Sequence, residues 1–231
     1  MRQGGSVAMA LKTVLERIRR FAMPEGEVAP REIVFRQEGE MRLAPDAPWR
    51  PFRAEQRMAG DALDFRWRAW FWMVPLAPFR VIDAFENGSG RLAVTALGVL
   101  PVARGRGLDF DRGEIQRGLA ELPWRPFAIG RMRHVIWESP NGRTLSTTYD
   151  DGRVRASADL EIDDTGRVTS GSALRVRLVG KTPVETPWRG TFGGWRRFGR
   201  VQIPTDAEVA WILPEGPFPY WRGRVVSFPE L

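Results

Sequence analysis

The sequence predicts a mainly β protein, in which one large antiparallel curved sheet or half-open β-barrel of about 11 strands carries two helices on its concave side. Apolar residues recur at every second position through most of the chain, which is the period of a strand with one buried face. These segments follow one another about every ten residues, separated by turn sequences such as NGSG (87–90) and DDTG (163–166). Only two segments show the spacing of an amphipathic helix.

The first predicted helix covers about residues 7–22, where apolar residues recur at helical spacing and charged, mainly basic residues occupy the other side. The stretch MPEG (23–26) ends it, because proline and glycine so close together disfavour continuation of a helix. Two interpretations remain open. The amphipathic pattern favours packing on the domain's own sheet, whereas the basic residues are also compatible with a helix that lies on a membrane surface.

The predicted strands form two groups, separated by a second helix at about residues 111–122. The strands before this helix cover about residues 33–42, 52–58, 63–73, 79–86 and 91–97. Asp111 and Glu114 give the helix a capping-box-like start, and Pro123 ends it. The later strands cover about residues 132–138, 144–150, 153–162, 168–178, 191–203, 207–213 and 220–228. No linker-like or low-complexity stretch divides these elements, so residues 1–231 are predicted to form a single domain.

The segment DFRWRAWFWM (64–73) is the most aromatic stretch of the chain. Because neighbouring residues of a strand alternate between its faces, its two arginines lie opposite Phe65, Trp67 and Phe71. This separation argues against a platform on which single-stranded nucleic acid would stack. The chain also lacks an RNP-type, GXXG-type or helix–turn–helix signature, so a nucleic-acid partner is disfavoured.

The composition restricts the chemistry that the protein can perform. The chain has no cysteine, which excludes disulfides, thiolate catalysis, zinc fingers and iron–sulfur sites, and it has one histidine. The formal charge of +7 comes from 35 basic and 28 acidic residues that alternate along the sequence, which indicates a mixed solvated surface with a basic excess. Neither a secretory signal nor a membrane-spanning apolar run is present, so a cytoplasmic location is predicted.

The leading functional hypothesis is a binding site for a hydrophobic or amphipathic, lipid-like small molecule. Tryptophans are distributed over most predicted strands, and an apolar cleft between helices and sheet is the usual place for such a ligand. The residues predicted to line it are Phe65, Trp67, Phe71, Asp83, Trp137, Trp211 and Tyr220. Asp83, on an otherwise apolar strand face, is either paired with an arginine of a neighbouring strand, which is favoured, or a polar anchor for the ligand. No catalytic residue, metal or cofactor is predicted.

Two alternatives stay open. One is an enzyme of unknown reaction that uses Asp83, Glu114, Arg117 or His134 as an acid or base in the same cleft. The other is peripheral contact with a membrane, or with nucleic acid, through the basic excess. The sequence gives no indication of an oligomeric state.

The blocks WRPFRAEQRM…FRWRAWFW, DAFENGSGRLAV…LGVLPV, RGEIQRGLAELPWRPFAI, VIWES, IPTDAEVAWIL and YWRGRV resemble a family of bacterial proteins known only as a domain of unknown function. The resemblance extends from about Phe21 to the C-terminus and implies no activity or catalytic residues. The predicted architecture is also similar to that of periplasmic lipoprotein carriers of the LolA type, which implies a half-open barrel with helices in its concavity and a hydrophobic ligand space. Those carriers are exported, whereas this sequence shows no export signal.

Overall fold

A computed structural model describes residues 2–74, 77–96, 100–180 and 182–231. It contains two α-helices, α1 (Arg2–Ala22) and α2 (Leu108–Ala120). The strands are β1 (Glu32–Met41), β2 (Arg50–Ala59), β3 (Phe65–Val74), β4 (Ala77–Glu86), β5 (Ser89–Ala96), β6 (Leu100–Gly105), β7 (Val135–Glu138), β8 (Thr144–Asp150), β9 (Arg155–Ile162), β10 (Val168–Val179), β11 (Thr182–Gly193), β12 (Arg196–Phe198), β13 (Val201–Ile203), β14 (Asp206–Leu213) and β15 (Gly216–Ser227). Neither helix is long and apolar enough, over the residues described, to span a bilayer.

Thirteen of these strands form one antiparallel sheet, in the order β6-β5-β4-β3-β2-β1-β15-β14-β11-β10-β9-β8-β7. Strands β12 and β13 form a separate hairpin. The predicted fold class, a mainly β protein with a large curved half-barrel and two helices, is therefore confirmed. The main sheet has 13 strands instead of about 11, and β6 is the strand that the sequence did not reveal. The strand predicted at 191–203 in fact covers the end of β11, which begins nine residues earlier, and the β12–β13 hairpin.

The sheet curls around α2, which contacts β4 and β5 on one side and β9 and β10 on the other. Arg153, in the turn between β8 and β9, joins the two halves of the curl. Its guanidinium donates to the Asp111 carboxylate of α2 at 2.7 Å and to the carbonyl of Gly88 in the turn between β4 and β5. The other oxygen of Asp111 accepts from the Gly90 amide at 2.6 Å. These bonds hold both halves of the sheet against the helix.

The predicted start of the second helix is wrong. The helix begins at Leu108 with Gly107 as its N-cap, and no side chain caps it. Asp111, the predicted N-cap, lies one turn inside the helix, where its carboxylate is used to close the curl of the sheet. Long-range bonds of this kind compete with a local cap, and they cannot be read from the spacing of Asp111 and Glu114.

The first helix packs on the protein, as the favoured interpretation predicted. Val14, Ile18 and Ala22 bury their side chains, and Val14 and Ile18 belong to the main hydrophobic core. The helix contacts β7 and β13. Leu11 and Leu15 pack against that core as well, so the described part of the apolar stripe faces the protein.

Strand β3 carries the aromatic segment 64–73 and behaves as its alternation predicts. Phe65, Trp67 and Phe71 are buried, whereas Trp72 on the other face keeps 41% of its surface exposed. On that outer face Arg66 pairs with Glu86 of β4 at 2.7 Å. The inner face divides between two cores, because Phe65 joins the main core while Trp67 and Phe71 join a smaller one.

Candidate ligand cavity

A cavity of about 320 Å³ lies between α2 and the concave face of the sheet. Its wall is built by α2 and by strands β1, β3, β4, β10, β11, β14 and β15. Eight aromatic side chains line it, namely Trp67, Trp124, Trp188, Phe192, Trp211, Phe218, Tyr220 and Trp221. The volume falls within the range of about 300–1,000 Å³ that is typical of small-molecule sites.

The indole N–H groups of Trp67, Trp124 and Trp188 are already bonded to protein, so these rings present apolar faces to the cavity. Trp67 Nε1 donates to Gln37 Oε1 at 3.0 Å, and Trp124 Nε1 donates to the Pro204 carbonyl at 3.0 Å. Trp211 and Tyr220 stack with their ring centroids 5.9 Å apart. The wall is therefore apolar without leaving buried donors unsatisfied on these rings.

One side of the cavity is polar and is centred on Arg117 of α2. Its Nη1 donates to Asp83 Oδ2 at 2.6 Å, and its Nε donates to Glu121 Oε1 at 2.7 Å. Gln56 donates to the second oxygen of Glu121 at 3.0 Å. Burial opposes the charge of Arg117, but the carboxylates of Glu121 and Asp83 outweigh it and raise the pKa of this guanidinium. Arg117 is therefore a fixed cation whose charge is compensated within the protein.

Asp83 combines both interpretations that the sequence left open. It forms an ion pair, but the partner is Arg117 of the helix and not an arginine of a neighbouring strand. It also lies in the cavity wall. Because β4 and α2 are far apart in sequence, alternation along β4 could not identify this partner.

Glu114, one helical turn before Arg117, is a buried carboxyl group with an unusual environment. Burial, followed by the nearby charge of Asp83, raises the pKa of Glu114 well above its ordinary value. Its Oε2 atom has no hydrogen-bond partner among the described residues. Arg175 of β10 is its nearest cation, with Nη2 3.8 Å from Oε1. Burial and the charge of Asp83 therefore favour the protonated form of this carboxyl group.

Replacing Glu114 by glutamine is expected to make the protein more stable than wild type at alkaline pH. The folded state keeps a proton on Glu114 at pH values where the unfolded chain has lost it, so the free energy of unfolding of wild type falls as pH rises above the ordinary glutamate pKa. Glutamine does not titrate and removes that fall. Urea unfolding of both proteins should coincide near pH 4 and diverge progressively towards pH 8.

The matched control for this prediction is Glu215→Gln, in the exposed turn between β14 and β15. Its difference from wild type should not change with pH. A Glu114→Gln variant that loses stability relative to wild type as pH rises would show that Glu114 is ionised in the folded protein.

Four of the seven residues predicted from the sequence lie in the wall of this cavity: Trp67, Asp83, Trp211 and Tyr220. Phe65 and Phe71 lie outside the wall. Phe65 is buried in the main core with its ring 5.2 Å from the Arg117 guanidinium, and Phe71 packs against Phe52.

Trp137, the seventh predicted residue, does not lie in the wall of this cavity. Trp137 lies on β7, which is the last strand at one edge of the sheet, and its ring packs against the main core. The aromatic strands that build the cavity lie in the middle of the strand order. The sequence showed that Trp137 has one buried face, but it could not show which part of the sheet receives β7.

The acid–base alternative is only partly assembled by the fold. Asp83, Glu114 and Arg117 do come together at the polar side of the cavity. His134 does not join them, because it precedes β7, has a φ of 61° and is exposed. The strand predicted at about residues 132–138 starts only at Val135, so His134 lies outside it. Over the described ranges, no cluster of three or more His, Asp or Glu side chains could hold a metal ion.

Several wall residues were missed. Gln37, Arg175, Trp188 and Phe218 line the cavity but were not predicted. Trp188 was hidden because Pro183 and Pro187 made this stretch an unconvincing strand. Both prolines lie in the part of β11 that pairs with β10 alone, so their missing N–H groups remove no hydrogen bond to β14. In the structure Thr186, Trp188 and Gly190 are buried and alternate with exposed residues. Their spacing of two in the sequence was the signal that could have identified this strand and Trp188.

Comparison with known proteins extends the description. Residues 11–223 match the profile of a family of unknown function, DUF6544. No curated protein matches the sequence significantly.

The structure is similar to three solved structures of low sequence identity. One is a LolA superfamily protein of Nitrosomonas europaea, with a TM-score of 0.51, 11% identity and coverage of 95% of this chain and 93% of the other. A second is a DUF1329 family protein of Desulfovibrio piger, with a TM-score of 0.50, 9% identity and coverage of 97% of this chain and 92% of the other. The third is a domain of Vibrio parahaemolyticus described as an outer membrane lipoprotein-sorting protein domain, with a TM-score of 0.50, 12% identity and coverage of 94% of this chain and 90% of the other. At these identities the likeness establishes a LolA-like curved-sheet fold and nothing further.

Proposed function

We propose that this chain, which belongs to DUF6544, a family of unknown function, binds a hydrophobic or amphipathic, lipid-like small molecule. Membership of that family assigns no activity, so the proposal rests on the cavity. The observation that carries the proposal is the aromatic-lined space of about 320 Å³ between α2 and the sheet. The LolA-like fold supports it, because the Vibrio parahaemolyticus relative is described as a lipoprotein-sorting domain. The ligand would lie with its apolar part against the tryptophan faces.

The protein purified without detergent is expected to carry a lipid-like species or to accept one. Native mass spectrometry should show an adduct that organic extraction removes and whose mass identifies it. After extraction, phenylnaphthylamine, a neutral apolar dye that fluoresces when shielded from water, should bind with a stoichiometry of one. Absence of both an adduct and saturable dye binding would overturn the proposed function.

The opening of the cavity adds a second element to this proposal. Leu43, in the connection between β1 and β2, lines the cavity and is also 86% exposed, so the cavity opens there. In an antiparallel sheet of this strand order, the β1–β2, β10–β11 and β14–β15 connections lie at the same end. Leu178, Val179 and Ile212 are exposed at the ends of β10 and β14. Together with Leu43 they form what we call the aliphatic rim.

The aliphatic rim would contact an anionic bilayer surface while the ligand enters or leaves. Exposed aliphatic side chains at the end of the sheet where the cavity opens are otherwise a solubility cost. The formal charge of +7 supports attraction to anionic lipids over zwitterionic ones.

The double variant Leu43→Ser/Leu178→Ser is expected to bind phosphatidylglycerol vesicles at least about tenfold more weakly than wild type, because two apolar side chains no longer enter the interface. Vesicle sedimentation at low and moderate salt measures this. Ile136→Ser/Val226→Ser, two exposed aliphatic positions elsewhere on the sheet, is the control. Equal binding by wild type and the Leu43/Leu178 variant would refute the role of the rim.

A further inference from the structure

Arg175 of β10 differs from the other cations of the cavity wall. Arg42 and Arg117 each donate hydrogen bonds within the protein. Arg175 makes none among the described residues, and its nearest carboxylate oxygen, on Glu114, lies 3.8 Å away. Only 13% of its side chain is exposed. A guanidinium has five N–H donors, and withdrawing them from water without an acceptor is costly. The cavity is the place from which an acceptor can reach it.

The carboxylates around Arg175 do not hydrogen-bond to its guanidinium. Asp83 and Glu121 are both taken by Arg117. Glu114 lies 3.8 Å from Arg175, beyond hydrogen-bond distance, and burial raises the pKa of its carboxyl group, which favours the neutral form. Among the described residues, Arg117 is hydrogen-bonded to two carboxylates and Arg175 to none, so Arg175 is the cation of this cluster whose donors a ligand in the cavity can meet.

Tyr220 of β15 supplies a second donor next to Arg175. Its hydroxyl oxygen accepts a bond from Trp188 Nε1 at 2.9 Å, and the described residues offer no acceptor for its own proton. The Arg175 guanidinium lies 4.9 Å from the centre of the same Trp188 ring. Trp188 thus holds Arg175 over its face and Tyr220 at its edge. Burial raises the pKa of Tyr220, so its hydroxyl stays protonated.

The helix opposite leaves room for this arrangement. A Cβ atom at Gly113 of α2 would lie 3.3 Å from Arg175 Nη2, which is tighter than ordinary contact. Glycine inside a helix costs about 0.5–1 kcal/mol relative to alanine. Here the missing side chain lets the guanidinium lie against α2.

We propose that Arg175 and Tyr220 form the head-group site for an anionic amphipath, whose head is a carboxylate or a phosphate monoester and whose alkyl chain lies against Trp211 and Phe218. The inference rests on the proposed function and names the class of ligand that the cavity takes. A planar guanidinium and a phenol proton together match the oxygen atoms of either head group.

The test uses bound phenylnaphthylamine and four competitors with the same alkyl chain: decanoate, decyl phosphate, decanol and decylammonium. Wild-type protein should release the dye at concentrations of decanoate or decyl phosphate about 10- to 100-fold lower than those of decanol, as charge-assisted hydrogen bonds require. The order of the two anions assigns the head group as carboxylate or phosphate.

Arg175→Met keeps an apolar stem and should remove the preference for anions, so that decanoate and decyl phosphate release the dye no better than decanol does. Arg175→Lys should restore part of it, and Tyr220→Phe should weaken anion binding less than Arg175→Met does. Arg53→Met, which removes an exposed cation on the outer face of β2, controls for net charge.

The outcomes distinguish a failure of the head-group site from a failure of the proposed function. Decanol binding as tightly as decanoate, tighter binding of decylammonium, or full anion affinity in Arg175→Met would overturn the head-group site while the apolar cavity stands. Failure of all four competitors to release the dye would overturn the proposed function itself.

Discussion

Replacing Arg125 by methionine is expected to lower the free energy of unfolding by about 3 kcal/mol or more. Arg125 lies in the chain segment between α2 and β7, and its side chain is fully buried. Its guanidinium donates to three backbone carbonyls: Ala62 at 2.9 Å, Gly118 at 3.1 Å and Ala59 at 3.3 Å. These carbonyls belong to α2 and to the end of β2 with the connection that follows it. Methionine fills much of the space but leaves all three without this donor, at about 1–3 kcal/mol for each unsatisfied buried group.

The opposing effect is the relief of burying a charge. Burial lowers the pKa of Arg125 to about 10, so the guanidinium is still charged at neutral pH and pays a desolvation cost that methionine avoids. We expect the three lost bonds to outweigh this gain. Urea unfolding at pH 7 measures the difference, with Arg143→Met as control, since Arg143 forms an exposed pair with Asp164 and should change stability by less than about 1 kcal/mol. A methionine variant as stable as wild type would mean that desolvation cancels the bonds.

Arg125 also shows what local pattern can and cannot predict about this fold. The alternation along β1 to β5 and the turn at 87–88 were visible in the sequence, because each depends on neighbouring residues alone. Arg125 follows a helix in the sequence PWRPF, which gives no sign that its side chain will join α2 to β2. The start of α2 was misplaced for the same reason, because the partners of Asp111 come from β5 and from the turn before β9. Long-range polar contacts of this type need the assembled fold.

The wall of the cavity, like the fold, was predictable from local pattern only in part. Trp67, Trp211 and Tyr220 were predicted because inward-facing aromatics on central strands must border either the core or a cleft. Trp137 obeyed the same local rule but lies outside the cavity wall, because the strand order places β7 at an edge. Arg175 gave no signal at all, since an arginine among alternating residues of β10 is ordinary until Trp188 and Glu114 are placed beside it. Periodicity therefore identified which side chains face inward, and topology decided which of them meet.

The size of the cavity can be tested without touching any polar group, through Gly190 of β11. Gly190 lies in the cavity wall on the inward-facing side of its strand, and a Cβ atom there would have no neighbour closer than 3.9 Å. Methionine at this position would extend into the empty space, and its flexible side chain can adapt to the surrounding rings. Gly190→Met is therefore expected to weaken binding of phenylnaphthylamine by at least about tenfold, which corresponds to 1.4 kcal/mol or more.

The same variant should not lose stability, and this separates a blocked cavity from a damaged fold. Filling a void and replacing glycine within a strand each tend to stabilise, by about 0.5–2 kcal/mol and 0.4–1 kcal/mol. Gly193→Met is the matched control, because Gly193 ends the same strand and has open space where its Cβ would lie. It should bind the dye as wild type does. Unchanged dye binding by Gly190→Met would place the ligand outside this cavity, whereas weaker binding together with a lower unfolding midpoint would mean that the space is too small to accept the side chain.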